Sequence, residues 1–145
     1  MKYPVVPVVF FAAMCAVFAT TSLHAAELRI HVSGLRSAQG DLHYAVYDDA
    51  AHFPEGKGWV AEGKVKARTP GVKVVIGGLR PGIYAVAVYH DENGNDEFDQ
   101  GLLGIPLEDF GFSGDALAFL GPPGFSSAAI EIRAGGTDTE IHLSP

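Results

Sequence analysis

Cysteine is nearly absent from this 145-residue chain, and the single one, Cys15, lies inside an apolar N-terminal run. Lys2 supplies a positive charge, Val5 to Ala19 is almost purely apolar, and small and polar residues follow in "TTSLHAAELRI". That order describes a secretory signal peptide. The run is shorter than the roughly 20 residues that span a bilayer. Residues 1–25 are therefore read as a signal peptide, cut after Ala25 or Ala26, and 26–145 as one domain. Met14 is bulky where a lipoprotein cleavage before Cys15 needs a small residue. The exported chain, periplasmic or extracellular, then holds no disulfide, which removes one usual stabiliser of small secreted domains. At about 120 residues it can still bury about two-thirds of its unfolded surface, so a hydrophobic core suffices.

Basic residues are also scarce, with 10 Lys and Arg against 17 Asp and Glu. Loss of Lys2 with the signal leaves 9 against 17, a formal charge of −8. No basic patch stands out, so nucleic acid and anionic membrane surfaces are poor partners, and no stable membrane insertion is expected after cleavage. A protein or carbohydrate partner stays unassigned, while the acidity suits cations.

Sustained helical periodicity is the third absence. Short strands divided by Gly and Pro take its place. Leu28, Ile30 and Val32 alternate with Arg29 and His31, and Leu42, Tyr44 and Val46 form a second inward set. Val72, Val74 and Ile76 precede a turn at Gly77, Gly78, Pro81 and Gly82. "IYAVAVYH" is apolar on both faces, as in a central strand covered on both sides. "SAAIEIRAGG" and "TEIHL" read as a closing hairpin across Gly135 and Gly136, and "WVAEGKVKA" as a weaker strand. About seven strands point to an all-β immunoglobulin-like or transthyretin-like β-sandwich, with a closed barrel as competitor. Residues 102–125 form one long ordered loop, whose Phe110, Phe112, Phe119 and Phe125 are expected to pack.

The chemistry gathers in "HDENGNDEFD", residues 90–99. Oxygen-bearing side chains stand at Asp91, Asn93, Asn95 and Asp99, with the carbonyl of Glu97 in the seventh place. Calcium takes six to eight hard oxygen ligands from carboxylates, amides and carbonyls. Gly94 allows tight curvature. An EF-hand is excluded, because Asp96 and Leu102 occupy the places of its glycine and terminal glutamate and the flanks are not helical. Glu108, Asp109, Asp48 and Asp49 are candidates to complete the shell. The competing reading is a solvated turn, since Asn-Gly and Asp-rich segments bond their own backbone.

"PGIYAVAV", "HDENGND", "LGIPLEDFGFS" and "GPPGFSSAAIEI" together resemble a bacterial secreted family, domain of unknown function 2141, over about residues 27–143. The resemblance implies a small exported β-sandwich with no assigned activity. It places weight on His90, Asp91, Asn93, Asn95, Asp99, Gly104, Pro106, Glu108, Gly111 and Ser113. Asp96 departs from it, standing where the family's loop more often has glycine.

Enzyme signatures are thin. His90, Asp91 and Glu108 could form an acid/base group, the basis of an alternative hydrolase reading. Ser113 in "GFSGD" lacks the strand-to-helix context of a nucleophile elbow and is read as a backbone hydrogen-bonding serine. No H-x-H or H-x-x-x-H pair occurs, which argues against zinc. His31, His43 and His142 are expected on outward strand positions, and His90 as an orienting residue beside the loop. Trp59, with Phe53 and Tyr47, is read as packing before it is read as a ligand platform. The expectation is a non-enzymatic exported sandwich whose 91–99 loop binds calcium, with His90, Glu108, Asp109 and Ser113 supporting it. A metal-free ligand- or partner-binding module is the other alternative.

Overall fold

The computed structural model describes residues 25–118 and 121–145; most of the proposed signal peptide, and Phe119, lie outside them. Eight strands form two sheets. A three-stranded sheet has the order β4 (Gly71–Leu79), β1 (Ala26–Ser33), β8 (Thr137–His142). A larger sheet runs β3 (Ala61–Lys66), β2 (Asp41–Tyr47), β5 (Gly82–Asp91), β6 (Phe110–Phe112), with β7 (Ala129–Ile132) also paired to β5. The protein is an open all-β sandwich.

Period-two alternation places the core where the sequence suggests. Leu28, Ile30 and Val32 of β1 meet Leu42 and Val46 of β2, together with Val74, Val86, Val88 and Ile141, all at most 3% exposed. Burying each such side chain contributes about 1.5–3 kcal/mol. Alternate residues of β5 point the other way, and a second cluster covers that outer face. Tyr47, Phe53, Ala85, Phe112 and Ala128 are buried there, with Trp59, Phe110 and Phe125 partly buried against them. Phe53 meets Tyr47, Phe112 and Phe125 edge to face at 5.5, 5.8 and 5.9 Å, the offset geometry aromatic rings prefer. Tyr47 and Phe53 are thus core residues and present no platform with Trp59.

Three expectations need correction. The closing strands are not a hairpin: β7 runs antiparallel to β5 in the larger sheet, whereas β8 runs parallel to β1 in the smaller one. The turn closed by Gly136 N–H donating to the Arg133 carbonyl (2.8 Å) therefore carries the chain between sheets. Local turn chemistry looks the same in both cases; only the partner strands differ. The glycines at 77 and 78 belong to β4, which pairs with β1 as far as Leu79. Finally, 102–125 is not one loop: it contains β6, two 3-10 turns (Leu102–Gly104 and Ser113–Asp115) and the start of a short helix, Phe125–Ala128.

Candidate metal-binding loop

β5 delivers the loop to the end of the larger sheet. Register pairs His43 with Tyr89, Leu42 with His90, and Asp41 with Asp91. Leu42 faces the core, so His43 stands on the outer face, where its ring stacks on Tyr89 with centroids 4.7 Å apart and planes 16° from parallel. Gly40 is needed beside the last pair: a Cβ there would lie 1.8 Å from the Asp91 carbonyl oxygen, and its φ is +68°.

Asp91 is completely buried. Its Oδ1 accepts the backbone N–H of Gly94 (2.7 Å) and Asn95 (3.2 Å), and its Oδ2 that of Asp96 (2.8 Å). His43 Nε2 lies 3.4 Å from the same Oδ2 and 3.4 Å from Asp96 Oδ1. These three N–H groups make Asp91 the organiser of the turn; with two lone pairs on each oxygen, its Oδ2 keeps one acceptor site, on the side of His43. Two residues adopt the left-handed conformation the turn requires, Gly94 at φ 73° and Asp96 at φ 62°. Aspartate visits that region at modest cost, and here its carboxylate takes the Lys64 ammonium. That hydrogen bond is the main cause holding the Asp96 carboxyl below, and the Lys64 amine above, their ordinary ranges.

The loop then folds over itself. Asn93 Oδ1 accepts the Asn95 N–H at 2.9 Å, and Asn95 Oδ1 accepts the Glu97 N–H at 3.0 Å. The Asn93 side-chain amide donates to Asp99 Oδ2 at 2.6 Å, and that of Asn95 reaches both Asp99 oxygens at 3.1 Å. Three of the expected ligands, Asn93, Asn95 and Asp99, are therefore in mutual contact. Glu97 is exposed.

Glu108 is the polar group with most left to explain. It is 7% exposed, its Oε2 accepts the Asp99 N–H at 3.2 Å, and its Oε1 is buried without a hydrogen-bond partner. Burial pushes its carboxyl pKa up, the Asp99 N–H opposes this, and the charges of Asp91 and Asp99 add to the rise. A cleft of about 380 Å³ opens beside it, lined in part by His90, Glu92, Asn93, Asp99 and Glu108.

Other expected residues separate from this group. Asp109 is 4% exposed but forms a two-pronged pair with Arg36 at 2.6 and 2.7 Å. Asp48 and Asp49 follow Tyr47, which pairs with Ala85, six positions from Asp91 along β5. That is about 20 Å away at roughly 3.3 Å per residue. Ser113 is fully buried, its Oγ accepting the Val86 N–H at 2.8 Å and donating to the Ala128 carbonyl. It is a structural staple, as its sequence context suggests. His90 bonds the Gln39 carbonyl at 2.8 Å, orienting the chain that approaches the loop rather than the loop itself.

Sequence reasoning missed His43 and Lys64. Both come from other strands, and only register brings them onto Asp91 and Asp96. Among the described residues, His43, Asp91 and Asp96 also form a group of close potential ligands, within 4.8 Å. The Lys64 ammonium already supplies a cation there, whereas at the Asp99–Glu108 end Arg36 lines the same cleft and is paired with Asp109. No curated protein and no solved structure matches the chain. Residues 30–141 match the family described as uncharacterized protein conserved in bacteria, DUF2141, and the chain belongs to that family.

Proposed function

We propose that this is an exported, non-enzymatic β-sandwich protein whose 91–99 loop, completed by Glu108, binds calcium. The observation that carries the reading is the buried, unpartnered Glu108 Oε1 beside the Asp99 backbone. A buried carboxylate is costly unless it is paired or coordinates a metal. Asp99, Asn93 and Asn95 carry the carboxylate and amide oxygens calcium prefers, although both amides now meet Asp99 through nitrogen. Asp91 shapes the turn from inside.

Calcium would neutralise the Asp99–Glu108 pair and tie residue 99 to residue 108, holding the intervening segment against the sheet. Of the alternative acid/base group of His90, Asp91 and Glu108, His90 and Glu108 line one cleft, while Asp91 is set apart from His90. Neighbours on a strand point to opposite faces, and the His90 ring is engaged by Gln39.

A thermal melt with calcium, magnesium or chelator tests the reading. Calcium should stabilise the protein by about 2.7 kcal/mol at a hundred times its dissociation constant. Asp99→Asn and Glu108→Gln should each remove most of that shift. Absence of any calcium-specific shift up to millimolar concentration would defeat the proposal.

A further inference from the structure

His43 Nε2 is a buried atom without a hydrogen-bond partner. It stands 3.4 Å from Asp91 Oδ2 and 3.4 Å from Asp96 Oδ1. Both separations exceed the roughly 2.7–3.2 Å of an N–H···O hydrogen bond. They match another geometry instead. Donor atoms held about 2.0–2.1 Å from a tetrahedral metal ion stand roughly 3.3–3.4 Å apart. All three donor atoms lie within 4.8 Å of one another.

We propose that His43, Asp91 and Asp96 bind a divalent transition-metal ion of the zinc class, leaving a fourth position beside Asp96 for water or a ligand. The donor types decide the class. Imidazole nitrogen suits zinc, copper, iron and nickel, whereas calcium takes oxygen. The site is therefore distinct from the calcium reading at Asp99 and Glu108 and does not rest on it.

The surroundings hold two of the ligands in place. Asp91 Oδ1 takes the N–H groups of Gly94 and Asn95, and Oδ2 takes only that of Asp96. One Oδ2 lone pair thus remains on the His43 side. The stack on Tyr89 orients the His43 ring, as outer partners orient metal ligands. Asp91 is fully buried and Asp96 exposed, so an ion enters from the Asp96 side. Spacing along the chain hides the group, because His43 lies on β2 while Asp91 ends β5 and Asp96 follows in the loop.

Lys64 is the competitor. Its ammonium pairs with Asp96 Oδ1 and, among the described residues, with no other acid. That pair leaves His43 Nε2 unserved. The Lys64 side chain is exposed, and an exposed ion pair is worth little, so a doubly charged ion can displace it into water. The rival account of the same geometry is a protonated His43 shared by the two carboxylates.

Titration of the tag-free protein with zinc in calcium-free buffer tests the proposal, read by melting temperature. Cobalt(II) adds the visible absorption of a four-coordinate ion. Zinc should raise the melting temperature and cobalt should give that absorption. His43→Phe keeps a ring to stack on Tyr89, and Asp96→Asn tolerates the left-handed backbone. Each should weaken zinc binding by more than the roughly tenfold that loss of an outer partner costs. Lys64→Met should tighten binding several-fold. Asp99→Asn with Glu108→Gln should leave zinc binding unchanged while removing the calcium-dependent shift. Neither a zinc-dependent shift nor cobalt absorption in the unsubstituted protein overturns the site and leaves His43 as an ion-pair partner. Binding retained in His43→Phe places the ion on other histidines and overturns it too. So does zinc binding lost in the Asp99–Glu108 double variant, because the ion then belongs to that end of the loop.

Discussion

The space between the sheets and the acidic end of β5 are held by different physics. Between the sheets, Leu28, Ile30, Leu42 and Val46 are fully buried and need only apolar neighbours of suitable volume. At the acidic end, Asp91 is equally buried yet depends on three backbone N–H groups at specified positions. One region is non-directional and tolerant of its partners' identity; the other is directional and fails if a single donor moves. Glu108 extends the contrast: it is buried like a core residue, yet one of its oxygens lacks a partner.

The largest test of this comparison is on the apolar side. Leu28→Ala should lower unfolding stability by about 2–5 kcal/mol in urea titration, through lost transfer energy and a residual cavity. A loss below 1 kcal/mol would mean that the inter-sheet space collapses freely and that the contrast is overdrawn. Next is Ser113→Ala, which leaves the buried Val86 N–H without its acceptor. It should cost about 1–3 kcal/mol by the same measurement.

Glu108→Gln separates the two ends of the loop. It removes a negative charge that Asp91 and Asp99 repel, so the melting temperature in chelator should hold or rise. Calcium should bind roughly tenfold more weakly or worse, because the site loses a carboxylate. A fall in chelator with calcium affinity unchanged would show that Glu108 serves packing alone.

The smallest effect lies on the exposed face of the three-stranded sheet. Hydrogen bonds from Arg29 first, and His31 second, lower the Asp138 carboxyl to about 2 from 3.8. A depressed carboxyl pKa contributes stability that is present above the unfolded value and is lost as pH falls through the folded one. Asp138→Asn should therefore flatten the acid limb of the melting curve between 3.8 and about 2, by lowering stability slightly above that window and leaving it unchanged below. An unaltered acid limb would show that solvent screens this exposed pair completely.

How much of this was legible beforehand depends on how far each feature reaches along the chain. Alternation in β1, β2 and β5 was readable because strand geometry repeats every two residues. Asp96 was readable as an oddity, a non-glycine where the resemblance suggests glycine, and its φ of 62° gives the reason. The split of β7 and β8 between sheets was not readable, since Gly135 and Gly136 permit a turn whichever strands it joins. His43 was assigned outward correctly, but its meeting with Asp91 depends on pairing across two strands.

By itself the sequence determined the inward faces of the strands, the oxygen-rich turn and the separation of Ser113 from any nucleophile context, because each follows from neighbours a few residues apart. Tertiary structure alone decided that Asp91 organises the turn from a buried position, that Asp109 is paired with Arg36, and that Glu108 comes to the Asp99 backbone with an oxygen to spare. Burial and hydrogen-bond satisfaction belong to the assembled surroundings of a group, and distant segments supply those surroundings only when the sheets close.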